Sequence, residues 1–178
     1  MRILGAPMRK LITKLAIGVV MVSLSNNFKL KALESDKDQQ VIWSADGNSA
    51  MRITEDRRIL EMSNNVIVNQ GTLEIRGDRA IFEYEASTNV LKQVQVFGQP
   101  VRYQQQLDGD ESSVSGVSDS LILSVNDFDE TILELIGNAQ IESPSSTIKC
   151  NSIIYLVDRD LIREAAGPCE GALGAQQN

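Results

Sequence analysis

Residues 65–82 read NVIVNQGTLEIRGDRAIF, from Asn65 to Phe82, and their alternation decides the fold class. Val66 and Val68, Leu73 and Ile75, and Ala80 and Phe82 recur at every second position, with Ile67, Asn69, Glu74, Arg76 and Arg79 between them. A period of two places one set on one face of a β-strand and the other set on the opposite face. Working outward, Tyr84, Val94 and Val96, Val101 and Tyr103, Leu133 and Leu135, Ala139 and Ile141, and Ile153, Tyr155 and Val157 extend the inward face. Glu83, Gln93, Gln95, Arg102, Gln104, Glu134, Gln140 and Glu142 extend the outward face. From Trp43 to Ala166 no 3.6-residue period competes with this pattern. Polar clusters such as Thr54–Arg57, Ala86–Asn89, Asn126–Asp129 and Asp158–Asp160 read as turns. The chain is expected to be all-β, with many short antiparallel strands. Segment 49–53 alone carries two rival registers, Met51/Ile53 and Ala50/Arg52.

An internal repeat supports the register. Sliding the chain by 73 residues aligns Asp46–Tyr84 with Asp119–Val157 without a gap, and eight of the 39 pairs are identical. Ile59-Leu60-Glu61-Met62 falls on Ile132-Leu133-Glu134-Leu135, Asn65 on Asn138, and Phe82 on Tyr155. Inward positions land on inward positions. Such repeats mark stacked units that bury a core only against their neighbours.

Asn64-Asn65, Gly77-Asp78, Gly98-Gln99 and Gly137-Asn138 separate apolar runs by one or two residues, too few for ordinary loops. They fit a sheet that bends at a corner, where Gly or Asn takes unusual backbone angles and the chain continues into a facing sheet. The result would be a flattened jelly-roll or sandwich with a continuous apolar interior.

Composition narrows the function. The 178 residues contain no histidine, which excludes Ser-His-Asp and Cys-His catalysis and His-containing zinc sites. The formal net charge is −7, against a nucleic-acid partner. Six basic residues precede Leu33 and every acidic residue follows it, so the remainder carries 11 basic against 24 acidic residues, a net −13. Residues 1–14 hold four positive charges, and Leu15–Leu24 is an apolar run. That is the pattern of a secretory signal. Its rival is an uncleaved anchor, which needs about 20 apolar residues, more than Lys14 and Asn26 leave between them. The expected organisation is a signal peptide over 1–32, ending near Ser23-Leu24-Ser25 or Leu30-Lys31-Ala32, a β-domain over 33–167, and a flexible tail over 168–178. Cys150 and Cys169 are either a bridge across a short loop or two unrelated cysteines, one of them in a core strand. Asp108–Glu111 reads as a solvated turn, since it lacks the later ligands of a calcium loop. The carboxylate pairs fall in turns or on the outward face, so no catalytic residue, metal or cofactor is expected.

The stretch Asn65–Phe82, with Phe97-Gly98-Gln99-Pro100-Val101, Gly137-Asn138-Ala139 and Ile148–Leu156, resembles the LptA/OstA family of lipopolysaccharide-transport bridge proteins. The resemblance covers about Asp46 to Gly167. It implies an open twisted β-jellyroll (a "β-taco") in the periplasm, with an apolar groove for the acyl chains of lipid A. The groove would be lined by Val66, Val68, Ile75, Phe82, Tyr84, Val94, Val96, Tyr103, Leu133, Leu135, Ile141, Ile153 and Tyr155. The implied partners are lipopolysaccharide, further copies of the chain stacked head to tail, an inner-membrane anchored LptC-like protein, and the N-terminal periplasmic domain of an LptD-like outer-membrane barrel. Two departures stand out: the tail Pro168–Asn178 lacks the family's final apolar strand, and Cys150 sits where the first repeat has Gly77. The rival functions are the anchored LptC-like relative, an envelope structural protein with a sealed core, and a carbohydrate-active enzyme on a β-sandwich.

Overall fold

The computed structural model describes residues 36–107 and 112–173. The expected signal peptide and the Asp108–Glu111 turn lie outside the described residues. Ten strands follow in chain order: β1 (Ile42–Ser44), β2 (Ser49–Ile53), β3 (Arg57–Gln70), β4 (Leu73–Glu85), β5 (Leu91–Gln106), β6 (Ser113–Val125), β7 (Thr131–Ser143), β8 (Ser146–Leu156), β9 (Leu161–Ala166) and β10 (Glu170–Leu173). They form one antiparallel sheet in which β3 to β8 pair in sequence order. β1 and β2 both pair with β3, and β9 and β10 both pair with β8. The sheet is open rather than a closed barrel.

In β3 to β8 the short apolar runs are joined into strands of 11 to 16 residues, each crossing the corner. Register shifts fall in line across the sheet, between Ser63 and Val66, Arg76 and Arg79, Phe97 and Val101, Val117 and Ser120, and Ile136 and Ala139. The line divides the sheet into an upper half (β2, 57–63, 79–85, 91–97, 120–125, 131–136, 152–156 and β9) and a lower half (β1, 66–70, 73–77, 101–106, 113–118, 139–143, 146–150 and β10). One apolar cluster takes side chains from both, including Met62, Phe82 and Leu135 from the upper half and Ile75, Val101 and Ile141 from the lower. The halves therefore fold face to face. Opposite the corner, two rows of turns form lips: 54–56, 86–90, 126–130 and 157–160 on the upper half, and 71–72 and 144–145 on the lower.

The repeat is written into the corner. Asn64 and Asn65 take φ of 65° and 49°, and their repeat equivalents Gly137 and Asn138 take 77° and 46°. Both are paired left-handed residues, which Asn and Gly tolerate best. The Asn65 side-chain amide donates to Asp46 Oδ2 at 2.8 Å, and that of Asn138 donates to Asp119 Oδ2 at 2.9 Å. Two residues inserted there preserve the alternation. In β4 the inward series runs Leu73, Ile75, then Ala80, Phe82, so an odd interval acts as a bulge that keeps the same face inward.

Several expectations need correction. Gly77 and Gly98 do not take positive φ. The strands instead approach closely there: a Cβ on Gly77 would lie 2.5 Å from Val96 Cγ1, and one on Gly98 would lie 3.3 Å from Gly77 Cα. Segment 49–53 follows neither rival register, because β2 is an edge strand with all five residues exposed. The expected flexible tail is in part a strand: Glu170–Leu173 pairs with Ser146–Lys149 of β8, which also supplies a short final strand. Cys150, buried in β8, is disulfide-bonded to Cys169 immediately before β10. The sequence left that pairing open.

Candidate functional site

The site begins with the inward face. Of the thirteen residues expected to line it, twelve are at most 2% exposed, and Phe82, Val96, Leu133 and Ile153 are fully buried. Tyr84 is the exception. It lies near the end of β4 at the upper lip, only half-buried, with its ring stacked on Phe82 at a centroid distance of 6.5 Å. The same face also buries Leu60, Met62, Leu107, Val114 and Leu121, which the sequence reading left out. For Leu60 and Met62 a signal was present, since the 73-residue offset carries them onto Leu133 and Leu135.

The interior is closely filled, and two mainly apolar openings lie at the lips. A cavity of about 240 Å³ is lined by Val41, Val68 and Leu73 below and Leu91, Val94 and Leu123 above, with Lys37 and Lys92 also on its wall. A second, of about 230 Å³, lies between Ile141 and Ile148 of the lower half and Tyr155, Leu161 and Ile162 of the upper. Ligand pockets commonly measure roughly 300–1,000 Å³. Either cavity takes the end of one alkyl chain, and neither takes a lipid with several.

Two polar networks sit against this apolar interior. The Tyr103 hydroxyl donates to Gln105 Oε1 at 2.7 Å, and Gln105 Nε2 donates to Asp36 Oδ2 at 3.0 Å. The Asp36 carboxylate also accepts from the Thr72 backbone N–H at 2.9 Å and the Thr72 hydroxyl at 2.6 Å. On the facing half the Tyr155 hydroxyl donates to Asp160 Oδ1 at 2.6 Å. Burial pushes the Tyr103 hydroxyl well above the usual range for tyrosine, helped by the carboxylates of Asp160, Asp36 and Asp158. Burial does the same to Tyr155, followed by Tyr103 and the Asp160 hydrogen bond. Burial also raises Asp160, opposed by the bond from Tyr155. Both phenols therefore stay neutral and hold their bonds.

The sheet edges complete the geometry. Beyond β1 and β2 on one side, and β9 and β10 on the other, no further strand pairs among the described residues. Met51 and Ile53 on β2, and Leu161 on β9, are 61%, 65% and 48% exposed.

A family model described as "LptA/(LptD N-terminal domain) LPS transport protein" matches residues 46–160, which span both repeats and most of the folded sheet. The chain belongs to this family. Among curated relatives it is similar to the lipopolysaccharide export system protein LptA of Escherichia coli K12, with 26% identity over 146 residues, 81% of this chain and 75% of that protein. LptA of Haemophilus influenzae is 26% identical over 133 residues, 74% of this chain and 73% of that protein. Among solved structures, LptH of Pseudomonas aeruginosa, described as the LptA-homologous periplasmic component of a lipopolysaccharide transport device, superposes with a TM-score of 0.65. That match covers 79% of this chain and 99% of LptH at 15% identity, and it supports the fold.

Proposed function

We propose that this protein is a periplasmic bridge that binds lipopolysaccharide and carries it from the inner to the outer membrane. The acyl chains of lipid A travel against the inward face, and Phe82, Tyr103, Leu135 and Tyr155 belong to their path. The observation that carries the reading is one apolar face running unbroken through both half-sheets and reaching two unpaired edges. Unpaired edges are templates for strand addition. Copies therefore stack head to tail, with an LptC-like anchored protein at the inner-membrane end and the N-terminal domain of an LptD-like barrel at the outer-membrane end. The family membership and the names of the curated relatives point the same way.

A second reading has one observation in its favour: the interior is so fully packed that it could be a sealed core. Photo-crosslinking separates the two. A photo-reactive amino acid at Phe82 or Tyr155, in cells making lipopolysaccharide, is expected to trap the lipid, while one at outward Gln95 traps little. In a sealed core the bulky probe overpacks the interior, costs roughly 1–3 kcal/mol and captures nothing. A folded protein without adducts at any inward position refutes the transport reading.

A further inference from the structure

The dipeptide Asp36-Lys37 joins the two lips. Asp36 is 5% exposed and accepts three hydrogen bonds, from the Thr72 N–H, the Thr72 hydroxyl and Gln105 Nε2, all on the lower half. Gln70, on the same lip, donates to the carbonyls of Lys37 and Gln39 at 3.3 and 3.2 Å. A Cβ on Gly71, whose φ is +59°, would lie 2.1 Å from Asp36 Oδ1, so the lower turn is shaped around this carboxylate. The neighbouring side chain reaches the other way. Lys37 Nζ lies 3.0 Å from Asp158 Oδ2 and donates to the Asp129 carbonyl at 2.9 Å, in two turns of the upper lip.

We propose that Asp36-Lys37 is a latch across the open side of the folded sheet, fixed at its Asp36 end and releasable at its Lys37 end. The asymmetry follows from solvent. A buried carboxylate with three donors is costly to undock, because it would be left without partners. A lysine whose side chain is 39% exposed exchanges its partners for water at little cost. Beneath the latch lies the cavity of about 240 Å³, whose wall includes Lys37 itself. Cargo with several acyl chains does not fit that space, so on the transport reading the lips part to admit it, and among the described residues Lys37 makes polar contacts that span them. The role in loading rests on the transport reading. The contacts that bridge the lips do not.

The test uses the full chain with its disulfide intact. Genetically encoded spin labels are placed at Asp127 on the upper lip and Ser145 on the lower, both exposed. In the lipid-free protein, Lys37→Ala is expected to lengthen and broaden the distance between labels. Lys37→Arg, which keeps a cation of similar reach, should restore the wild-type distribution. Lys92→Ala, which lines the same cavity without bridging the lips, should leave it unchanged. With a photo-probe at Phe82 and vesicles containing lipid A, Lys37→Ala should raise the initial rate of lipid capture by up to about fivefold, the effect of losing one exposed ion pair. Identical distances in wild type and Lys37→Ala overturn the latch, as does faster capture without wider lips. Wider lips with no capture in any variant leave the latch standing and overturn the transport reading instead.

Discussion

One methyl group at Gly77 should destabilise this fold far more than the same group at Gly98, although the two glycines face each other across the corner. A Cβ at Gly77 would lie 2.5 Å from Val96 Cγ1 and 2.8 Å from the Phe97 carbonyl oxygen. Carbon atoms in contact sit about 3.5–4.0 Å apart, and Val96 is fully buried with nowhere to move. Relieving the clash displaces β5 against β4, at an overpacking cost of about 1–3 kcal/mol. Gly→Ala also restricts the unfolded chain, which returns about 0.4–1 kcal/mol. The net loss for Gly77→Ala is then about 1.5 kcal/mol, or a Tm lower by roughly 3–6 °C for a domain of this size. At Gly98 the nearest atoms to a new Cβ are all at 3.3 Å and φ is ordinary, so crowding and chain entropy nearly offset each other. Gly98→Ala is expected to stay within about 0.5 kcal/mol of wild type. Urea unfolding with unchanged m-values, alongside calorimetry, reads both. If Gly98→Ala is as damaging as Gly77→Ala, or if both are neutral, the close-approach account of the corner is wrong.

The two corner clamps should behave alike: Asn65→Ala and Asn138→Ala are each expected to cost about 1 kcal/mol in urea unfolding, and a difference larger than that would break the repeat equivalence. Cys169→Ser opens a link spanning 19 residues, so it should lower stability by up to about 3 kcal/mol, with hydrogen exchange rising first in β10 and the adjoining part of β8. Tyr103 and Tyr155 hold their protons more tightly folded than unfolded; their contribution is complete below about pH 10 and is lost as pH climbs above it. A tyrosinate absorbance titration should therefore show their steps only together with alkaline unfolding, and early ionisation of both in the folded protein would contradict their burial. Light scattering should reveal a ladder of oligomers growing with concentration, since edge-to-edge stacking does not close into a ring, and a strict monomer up to millimolar concentration would count against stacking.

Local chemistry was enough to read much of this molecule from its residues. A period of two survives any tertiary context in which one face is buried, because a one-residue slip would expose every apolar side chain. That is why Val66, Phe82 and Leu135 could be placed inward from alternation alone. The repeat is legible for a related reason: Asn65 and Asn138 each meet their aspartate 19 residues away, so the same local geometry demands the same residues twice. Other features depend on partners far along the chain. Gly77 looks like a residue chosen for its backbone angle, and only the approach of Val96 and Phe97 shows that it was chosen for lack of a side chain. Met51 and Ile53 alternate as core residues do, but β2 lies at the sheet edge, where no facing layer covers them. Glu170–Leu173 has little strand character of its own, and becomes a strand because Cys169 is tied to Cys150 and β8 offers it a free edge. Nothing around Asp36-Lys37 marks a latch in sequence. Its partners at 72, 105, 129 and 158 converge only when the sheet folds at its corner and brings the two lips together.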